Sequence, residues 1–148
     1  MHIPKTAGTT LRSIIDFQYG KENVLTFYNQ NNQHLLDNIG FLLQTKPNYK
    51  VLIGHYQFGV HENIGKSSLY ITFLRNPIAR CISEYNERIE RDPETYCNND
   101  GTVFSLSQMI DYHHQDFSNL QTKYLCGVPK STQITNSHLT QAIENVQE

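Results

Sequence analysis

Three short segments of the chain carry residue types that could bind an anion and transfer a group to a hydroxyl. They run from His2 to Thr10, from Gly54 to Gly59 and from Arg75 to Ser83. Lysine and arginine offer positive charge, threonine and serine offer hydroxyl donors, and a histidine can accept a proton near neutral pH. Whether they act together depends on the elements that position them.

The first segment is a glycine-containing turn that precedes a helix. Backbone N–H groups in such a turn point at one place, where the helix dipole also favours an anion. Lys5 adds positive charge, and Thr6, Thr9 and Thr10 add hydroxyls around Gly8. An ordinary turn with threonine caps would explain the same residues. The lysine precedes the glycine, so the nucleoside-triphosphate loop G-x-x-x-x-G-K-[ST] does not match and an ATPase is not indicated.

The second segment places His55 directly after a predicted buried strand, Val51–Ile53. A neutral imidazole is the natural general base for an alcohol near pH 7. The alternative is that His55 only caps the loop in which it lies.

The third segment begins with Arg75 at the end of the hydrophobic run Leu69–Leu74. An arginine in that position needs an anionic partner or a path to water. Ser83 follows two helical turns later, and a guanidinium fork with a hydroxyl would suit a phosphate monoester. The alternative is a surface arginine that pairs with Glu84 or Glu87.

The elements that must position these segments alternate between strands and helices. We expect strands at Val24–Tyr28, Val51–Ile53 and Leu69–Leu74, and helices after Thr10 up to Gly20, over Leu35–Leu43, after Asn76-Pro77, after Ser105, over Asn119–Cys126 and over Leu139–Val146. Such alternation predicts an α/β fold with three layers (α/β/α) and a mainly parallel sheet. Ligands in these folds lie beyond the carboxyl ends of the strands, where all three segments fall.

Helical periodicity also predicts which faces are buried. We expect Leu11, Ile14, Ile15 and Phe17 to be buried in the first helix, and Ile78, Ile82, Tyr85 and Ile89 in the helix after Pro77. On the opposite face of that second helix, the i,i+4 spacing pairs Glu84 with Arg88 and Glu87 with Arg91.

Composition limits the remaining classes of protein. The chain has 148 residues, 38% of them hydrophobic, which is enough for one domain with a core. Twelve basic residues against 14 acidic ones make generic nucleic-acid binding a poor expectation. Three cysteines without a CxxC motif, and histidines without metal-ligand spacing, argue against a metal site. No signal peptide is visible, and no apolar run approaches the ~20 residues of a membrane span.

At the three segments the sequence resembles a known family. His2–Leu11 resembles the 5′-phosphosulfate loop of sulfotransferases, most of all the carbohydrate group with the heparan sulfate 2-O- and 6-O-sulfotransferases. Ile71–Tyr85 resembles their 3′-phosphate motif, and Gly54-His55 the segment with their catalytic histidine. Asn119–Gly127 is similar to a further segment of these enzymes. The family usually has a glycine where Ala7 stands.

The resemblance implies a P-loop-like fold and sulfuryl transfer from 3′-phosphoadenosine 5′-phosphosulfate to an acceptor hydroxyl, on a carbohydrate, with no metal. It implies catalytic roles for Lys5 and His55, and donor binding by Lys5, Thr6, Gly8, Thr9, Thr10, Arg75 and Ser83. Two alternatives stay open: a P-loop kinase or NTPase, and an inactive nucleotide-binding module.

The extent and location of the protein are also expectations. Only Met1–Ile3 stand where a strand should precede the loop, so we expect residues 1–148 to form a single, partial sulfotransferase domain. A bacterial member would be cytoplasmic, whereas a eukaryotic member would lie in the Golgi membrane through an anchor outside this chain.

Overall fold

A parallel pair of strands forms the sheet of the residues that the structure describes. This computed structural model describes residues 1–28, 43–44, 47–65 and 67–147. Strand β1 (Val24–Phe27) pairs in parallel with β2 (Val51–Gly54), with Val24 opposite Val51. The predictions of these two strands and of an α/β fold are confirmed. The helix predicted over Leu35–Leu43 falls almost entirely outside the described residues.

Seven α-helices and one 3₁₀ turn (Lys21–Asn23) accompany the strands in the described part of the chain. The helices are α1 (Gly8–Tyr19), α2 (Val60–Ile64), α3 (Pro77–Arg91), α4 (Leu106–Tyr112), α5 (His114–Phe117), α6 (Leu120–Leu125) and α7 (Asn136–Gln147). None of the described helices is long and apolar enough to cross a membrane.

Local signals explain where the main helices begin and end. The Asn76 side chain accepts hydrogen bonds from the N–H groups of Ile78 and Ala79, and Pro77 occupies the first helical position of α3. Ser105 and Gln108 form a capping box at α4. These signals depend on neighbours in the sequence, and the structure confirms them.

Burial on α1 and α3 differs from the periodic prediction. Phe17 on α1 is 91% exposed, and Ile78 on α3 is 71% exposed. The buried side chains of α3 are instead Arg80 and Glu84. An ion pair of Glu84 with Arg88 (2.7 Å) and a hydrogen bond from Arg80 to the Asp116 carbonyl offset the cost of burying these charges. Ile14 and Ile82 are likewise exposed rather than buried, whereas Leu11 is buried.

The run Leu69–Leu74 does not form the predicted strand. A strand requires a ladder of backbone hydrogen bonds, and within the described residues this run accepts one such bond, from the Met1 amine to the Ile71 carbonyl (3.1 Å). Its apolar side chains are correspondingly open, with Leu69 86% exposed. Arg75, which follows this run, nevertheless lies beside Lys5 and His55, as the sequence predicts.

The described core divides into three clusters of apolar side chains. The first includes Ile3, Phe27, Tyr56 and Leu120, and joins the N-terminal residues and the sheet to α6. The second joins α1 to the sheet through Leu11, Val24 and Ile53, and the third joins α3 to α4 and α5 through Tyr96, Met109 and Phe117. The first two clusters fix the sheet beneath the loop that precedes α1.

Candidate functional site

The three predicted segments line one pocket, with a cavity volume of about 500 Å³. Six of the eight predicted site residues lie on its wall: Lys5, Gly8, Thr9, His55, Arg75 and Ser83. Thr6 and Thr10 do not. A second cavity of about 400 Å³, lined by residues such as Leu11, Tyr56 and Tyr70, contains none of the eight.

The loop before α1 presents backbone N–H groups to the pocket. Lys5 and Ala7 have positive φ angles, of 68° and 60°, while Thr6 between them does not. Alternation of this kind forms a concavity of N–H groups that suits an anion. Ala7 supplies no side-chain cap to α1, and within the described residues the N–H groups of Gly8 and Thr9 have no hydrogen-bond acceptor. The start of α1 therefore keeps donors available.

Thr6 has a structural task instead of the predicted contact through its hydroxyl. Its side chain is buried, and the hydroxyl donates a hydrogen bond to the Ile3 carbonyl at 2.7 Å. This bond closes the turn on itself. The predicted role of the Thr6 hydroxyl is accordingly replaced by one in shaping the loop.

Gly8 is required for space, because the imidazole of His2 packs against its α-carbon. A Cβ atom at position 8 would lie 1.7 Å from the nearest atom of the His2 ring. Both ring nitrogens of His2 are buried, and neither has a partner among the described residues. His2 thus lies beneath the loop as a neutral ring in van der Waals contact with it.

A backbone carbonyl fixes the tautomer of His55. Its Nδ1 lies 2.8 Å from the His2 carbonyl oxygen, which can only accept, so Nδ1 carries the proton. The Nε2 atom then holds a lone pair and has no hydrogen-bond partner within the described residues. The rings of His55 and Tyr28 also pack edge-to-face, with their centroids 4.9 Å apart, which limits rotation of the imidazole. The arrangement leaves a basic nitrogen in a fixed position.

Burial keeps both histidines neutral near pH 7. Burial, together with smaller effects of the nearby His55 and the N-terminal amine, lowers the pKa of His2 to about 4. Burial also lowers the pKa of His55, although the hydrogen bond to the His2 backbone acts in the opposite direction. Because a general base must be unprotonated to act, this environment favours such a role for His55.

Arg75 reaches the pocket with its guanidinium unpaired by any carboxylate of the described residues. Its Nη1 donates to the Lys5 carbonyl at 3.3 Å. The alternative that Arg75 pairs with Glu84 or Glu87 is therefore wrong. The side-chain amide of Gln121 on α6 holds the Arg75 backbone with two hydrogen bonds, at 2.9 and 2.8 Å.

Lys5 pairs with Glu87 on α3, at 3.0 Å between Nζ and Oε2. The predicted i,i+4 pair of Glu87 with Arg91 is absent among the described ion pairs, whereas that of Glu84 with Arg88 is confirmed. Glu87 lies one helical turn beyond Ser83, so both side chains face the pocket. This tertiary contact joins the loop to α3.

Sequence reasoning missed three residues of the pocket wall, which lie outside the selected segments: Arg12, Tyr28 and Glu87. It included His2 in a segment but gave this residue no role. Two of the three missed residues carry a signal that could have been used. Tyr28 follows β1 at the same carboxyl edge as His55, and Glu87 shares a helix face with Ser83. The burial of His2 depends on packing against Gly8, which no local pattern encodes.

Residues 1–147 match the family model described as Sulfotransferase family. The chain belongs to the sulfotransferase family. Sulfuryl transfer is therefore the general chemistry of its relatives. No match was found among curated proteins or among solved structures.

The described part of this sulfotransferase contains no group of three or more His, Cys, Asp or Glu side chains placed to hold a metal ion. Its pocket instead gathers the positive side chains of Lys5, Arg12 and Arg75 around the unpaired N–H groups of the loop. Arg12 has a weak ion pair with Asp16 at 3.8 Å and lies 5.4 Å from the centre of the Tyr28 ring. The wall is consequently suited to an anionic ligand beside a neutral base.

Proposed function

We propose that this chain transfers a sulfuryl group from 3′-phosphoadenosine 5′-phosphosulfate to a hydroxyl of a carbohydrate. The observation that carries the proposal is the convergence, in one pocket, of the Lys5 loop, the unpaired Arg75 guanidinium and a His55 whose Nε2 holds a lone pair. Members of the family generally use this donor. We also propose the three-layer, P-loop-like arrangement for the domain as a whole.

On the donor side, the two phosphate-bearing ends of the nucleotide require two separate anion sites. Lys5 and the backbone N–H groups of Gly8, Thr9 and Thr10 would hold the 5′-phosphosulfate at the start of α1. Thr6 would contribute through its backbone alone. Arg75 and Ser83 would hold the 3′-phosphate, and the Ser83 hydroxyl has no hydrogen-bond partner among the described residues.

On the acceptor side, His55 would remove the proton of the hydroxyl that attacks sulfur. The acceptor oxygen forms a bond to sulfur as the bond from sulfur to the bridging oxygen breaks. The electron pair of the broken bond passes to the leaving phosphate, and the acceptor proton passes to Nε2 of His55. Lys5 and the loop N–H groups would stabilise the negative charge that develops on the phosphate.

The preference for a 3′-phosphate tests this assignment. We expect adenosine 3′,5′-bisphosphate to bind more tightly than adenosine 5′-monophosphate, and Arg75→Ala to remove about 10- to 150-fold of that preference. Ser83→Ala should act in the same direction more weakly. Isothermal calorimetry with both nucleotides measures the difference.

Arg91→Ala is the matched control, because Arg91 is an exposed arginine at the end of α3 outside the pocket. It should leave both affinities unchanged. Equal weakening of both nucleotides by Arg75→Ala, or no preference in the unmutated chain, would contradict the proposed reading of the 3′-phosphate.

One observation supports the kinase-like alternative. Glu87 places a carboxylate in the pocket, and magnesium at phosphate sites is held by carboxylates. Assays of sulfate transfer and of phosphoryl transfer, each in excess EDTA and again with added magnesium, distinguish the two functions. Undiminished transfer is expected for the sulfotransferase, whereas phosphoryl transfer restored by magnesium would favour the kinase. Nucleotide binding without any transfer would favour the inactive module.

A further inference from the structure

The negative charge of Glu87, which pairs with Lys5, is unexpected in a site that binds an anion. Of the described residues on the pocket wall, Glu87 is the only carboxylate, and it lies among the cations Lys5, Arg12 and Arg75. Its Oε2 is 3.0 Å from Nζ of Lys5. A carboxylate in this position repels an anionic ligand. It also pairs with the Lys5 ammonium group, which the ligand would otherwise bind.

The positions of Lys5 and Glu87 allow their ion pair to break and form again. Lys5 lies in a loop before α1 and Glu87 on the rigid helix α3, so the flexible lysine stem can move while the carboxylate stays in place. The side chains are 24% and 45% exposed, and water can therefore solvate either charge when they part. Lys5 has no other ion pair within the described residues.

We infer that Glu87 holds Lys5 in the ligand-free pocket and thereby lowers the affinity for the nucleotide. This inference rests on the proposed function, because it concerns the same donor site. When the donor binds, the ammonium group of Lys5 turns from Glu87 to the phosphosulfate. After transfer Lys5 can return to Glu87, which favours dissociation of the bisphosphate product. Glu87 is thus a residue that sets affinity and does not itself contact the reacting atoms.

The substitution Glu87→Gln tests the inference, since it keeps the shape of the side chain and removes its charge. In low salt with EDTA, we expect it to tighten binding of adenosine 3′,5′-bisphosphate about 3- to 20-fold, and to slow dissociation of this product. Glu90→Gln is the matched control. Glu90 is an exposed glutamate on α3 outside the pocket, so the same change of net charge should leave the affinity nearly unaltered.

A double-mutant cycle with Lys5→Met separates the ion pair from general repulsion. If Glu87 holds Lys5, then Lys5→Met should cost more affinity in the Glu87→Gln background than in the unmutated chain. Equal losses in the two backgrounds would overturn the inference. Weaker nucleotide binding by Glu87→Gln would also overturn it, because Glu87 would then position Lys5 for the ligand.

Inorganic pyrophosphate distinguishes a failure of this inference from a failure of the proposed function. If the unmutated chain does not bind the bisphosphate, the proposed function is wrong, and the cycle is repeated with pyrophosphate as the probe. Tighter pyrophosphate binding by Glu87→Gln would support the inference that Glu87 holds Lys5 in the ligand-free pocket. Unchanged or absent binding of pyrophosphate in that variant would overturn it.

Discussion

The tautomer and orientation of His55 are set by groups that lie outside its own segment. The His2 carbonyl accepts the Nδ1 proton at 2.8 Å, and Tyr28 meets the ring edge-on. An imidazole held in this way presents Nε2 in one tautomer and one orientation. A histidine that only capped its loop would instead use its side chain to satisfy a nearby backbone group. The backbone partner of His55 is 53 residues away, which favours the interpretation as a base.

This interpretation predicts that His55→Ala lowers turnover of sulfate transfer by about 10²- to 10⁴-fold, the usual contribution of a positioned general base. The affinity for adenosine 3′,5′-bisphosphate should change little, since the imidazole acts on the acceptor. Steady-state kinetics together with calorimetry measure the two effects separately. His114→Ala, at an exposed histidine outside the pocket, should change neither. Near-normal turnover of His55→Ala would return His55 to the role of a loop cap.

Residue types and their order predicted much of the pocket wall. Lys5, His55 and Arg75 could be selected because each was expected beyond the carboxyl end of a strand, where parallel folds bind ligands. Of these three residues, His55 alone directly follows a strand in the structure. The Thr6 hydroxyl was misassigned because its bond to the Ile3 carbonyl depends on the shape of the turn. Glu87 was assigned to a local helical pair because i,i+4 reasoning sees only one helix at a time.

Helix α3 illustrates the same limit at the level of elements. Asn76 and Pro77 predict its first residue correctly, because capping involves only the next three residues. The face that α3 buries could not be predicted from periodicity. Charged residues occupy it, and their partner Asp116 lies on α5: its carboxylate is 2.7 Å from Arg88 and 2.7 Å from Lys130. Such a network requires three separate parts of the chain to meet.

The cap of α3 should contribute measurably to stability. We expect Asn76→Ala to lower the free energy of unfolding by about 1 kcal/mol, because the N–H groups of Ile78 and Ala79 lose their acceptor. Asn76→Asp should preserve stability, since aspartate caps equally well and its charge suits the helix dipole. Urea denaturation measures all three proteins.

Asn86→Ala supplies the control for the chemistry of the substitution. Asn86 is exposed within the same helix and has no hydrogen bond from its side chain to the described residues. Alanine is the better helix former there, so this variant should be slightly more stable than the unmutated chain. Similar losses in Asn76→Ala and Asn86→Ala would show that the cap contributes nothing specific.

Over the whole molecule, predictions of local elements succeeded more often than predictions of burial. The strand β2 and the helix ending at Gly20 follow from short patterns, and both are confirmed. The run Leu69–Leu74 has the composition of a buried strand, yet burial depends on which segments lie beside it. Ile3 is fully buried although it lies close to the chain start, because the sheet and α6 pack around it.

The two half-buried histidines of the pocket make the stability of the molecule depend on pH. Burial lowers the pKa of His2 to about 4 and also lowers the pKa of His55, while an unfolded chain titrates its histidines near 6.5. Between pH 6.5 and 4 the unfolded state therefore binds more protons than the folded state. The stability that the two neutral histidines contribute is at its full value above pH 6.5 and falls as the pH decreases through this window.

His2→Phe tests this linkage, because phenylalanine keeps an aromatic ring against Gly8 and removes the titrating group. The unmutated chain should lose roughly 1–2 kcal/mol of stability from His2 between pH 7 and 4.5, less than full burial would give since His2 is partly exposed. The variant should lose less over the same range, and His114→Phe should behave like the unmutated chain. Asp116, whose pKa is held below its usual range, destabilises the fold only at still lower pH: burial would raise this pKa, but Lys130 and Arg88 outweigh it. Urea denaturation at several pH values measures the slopes, and an unaltered slope in His2→Phe would place the acid sensitivity in another group.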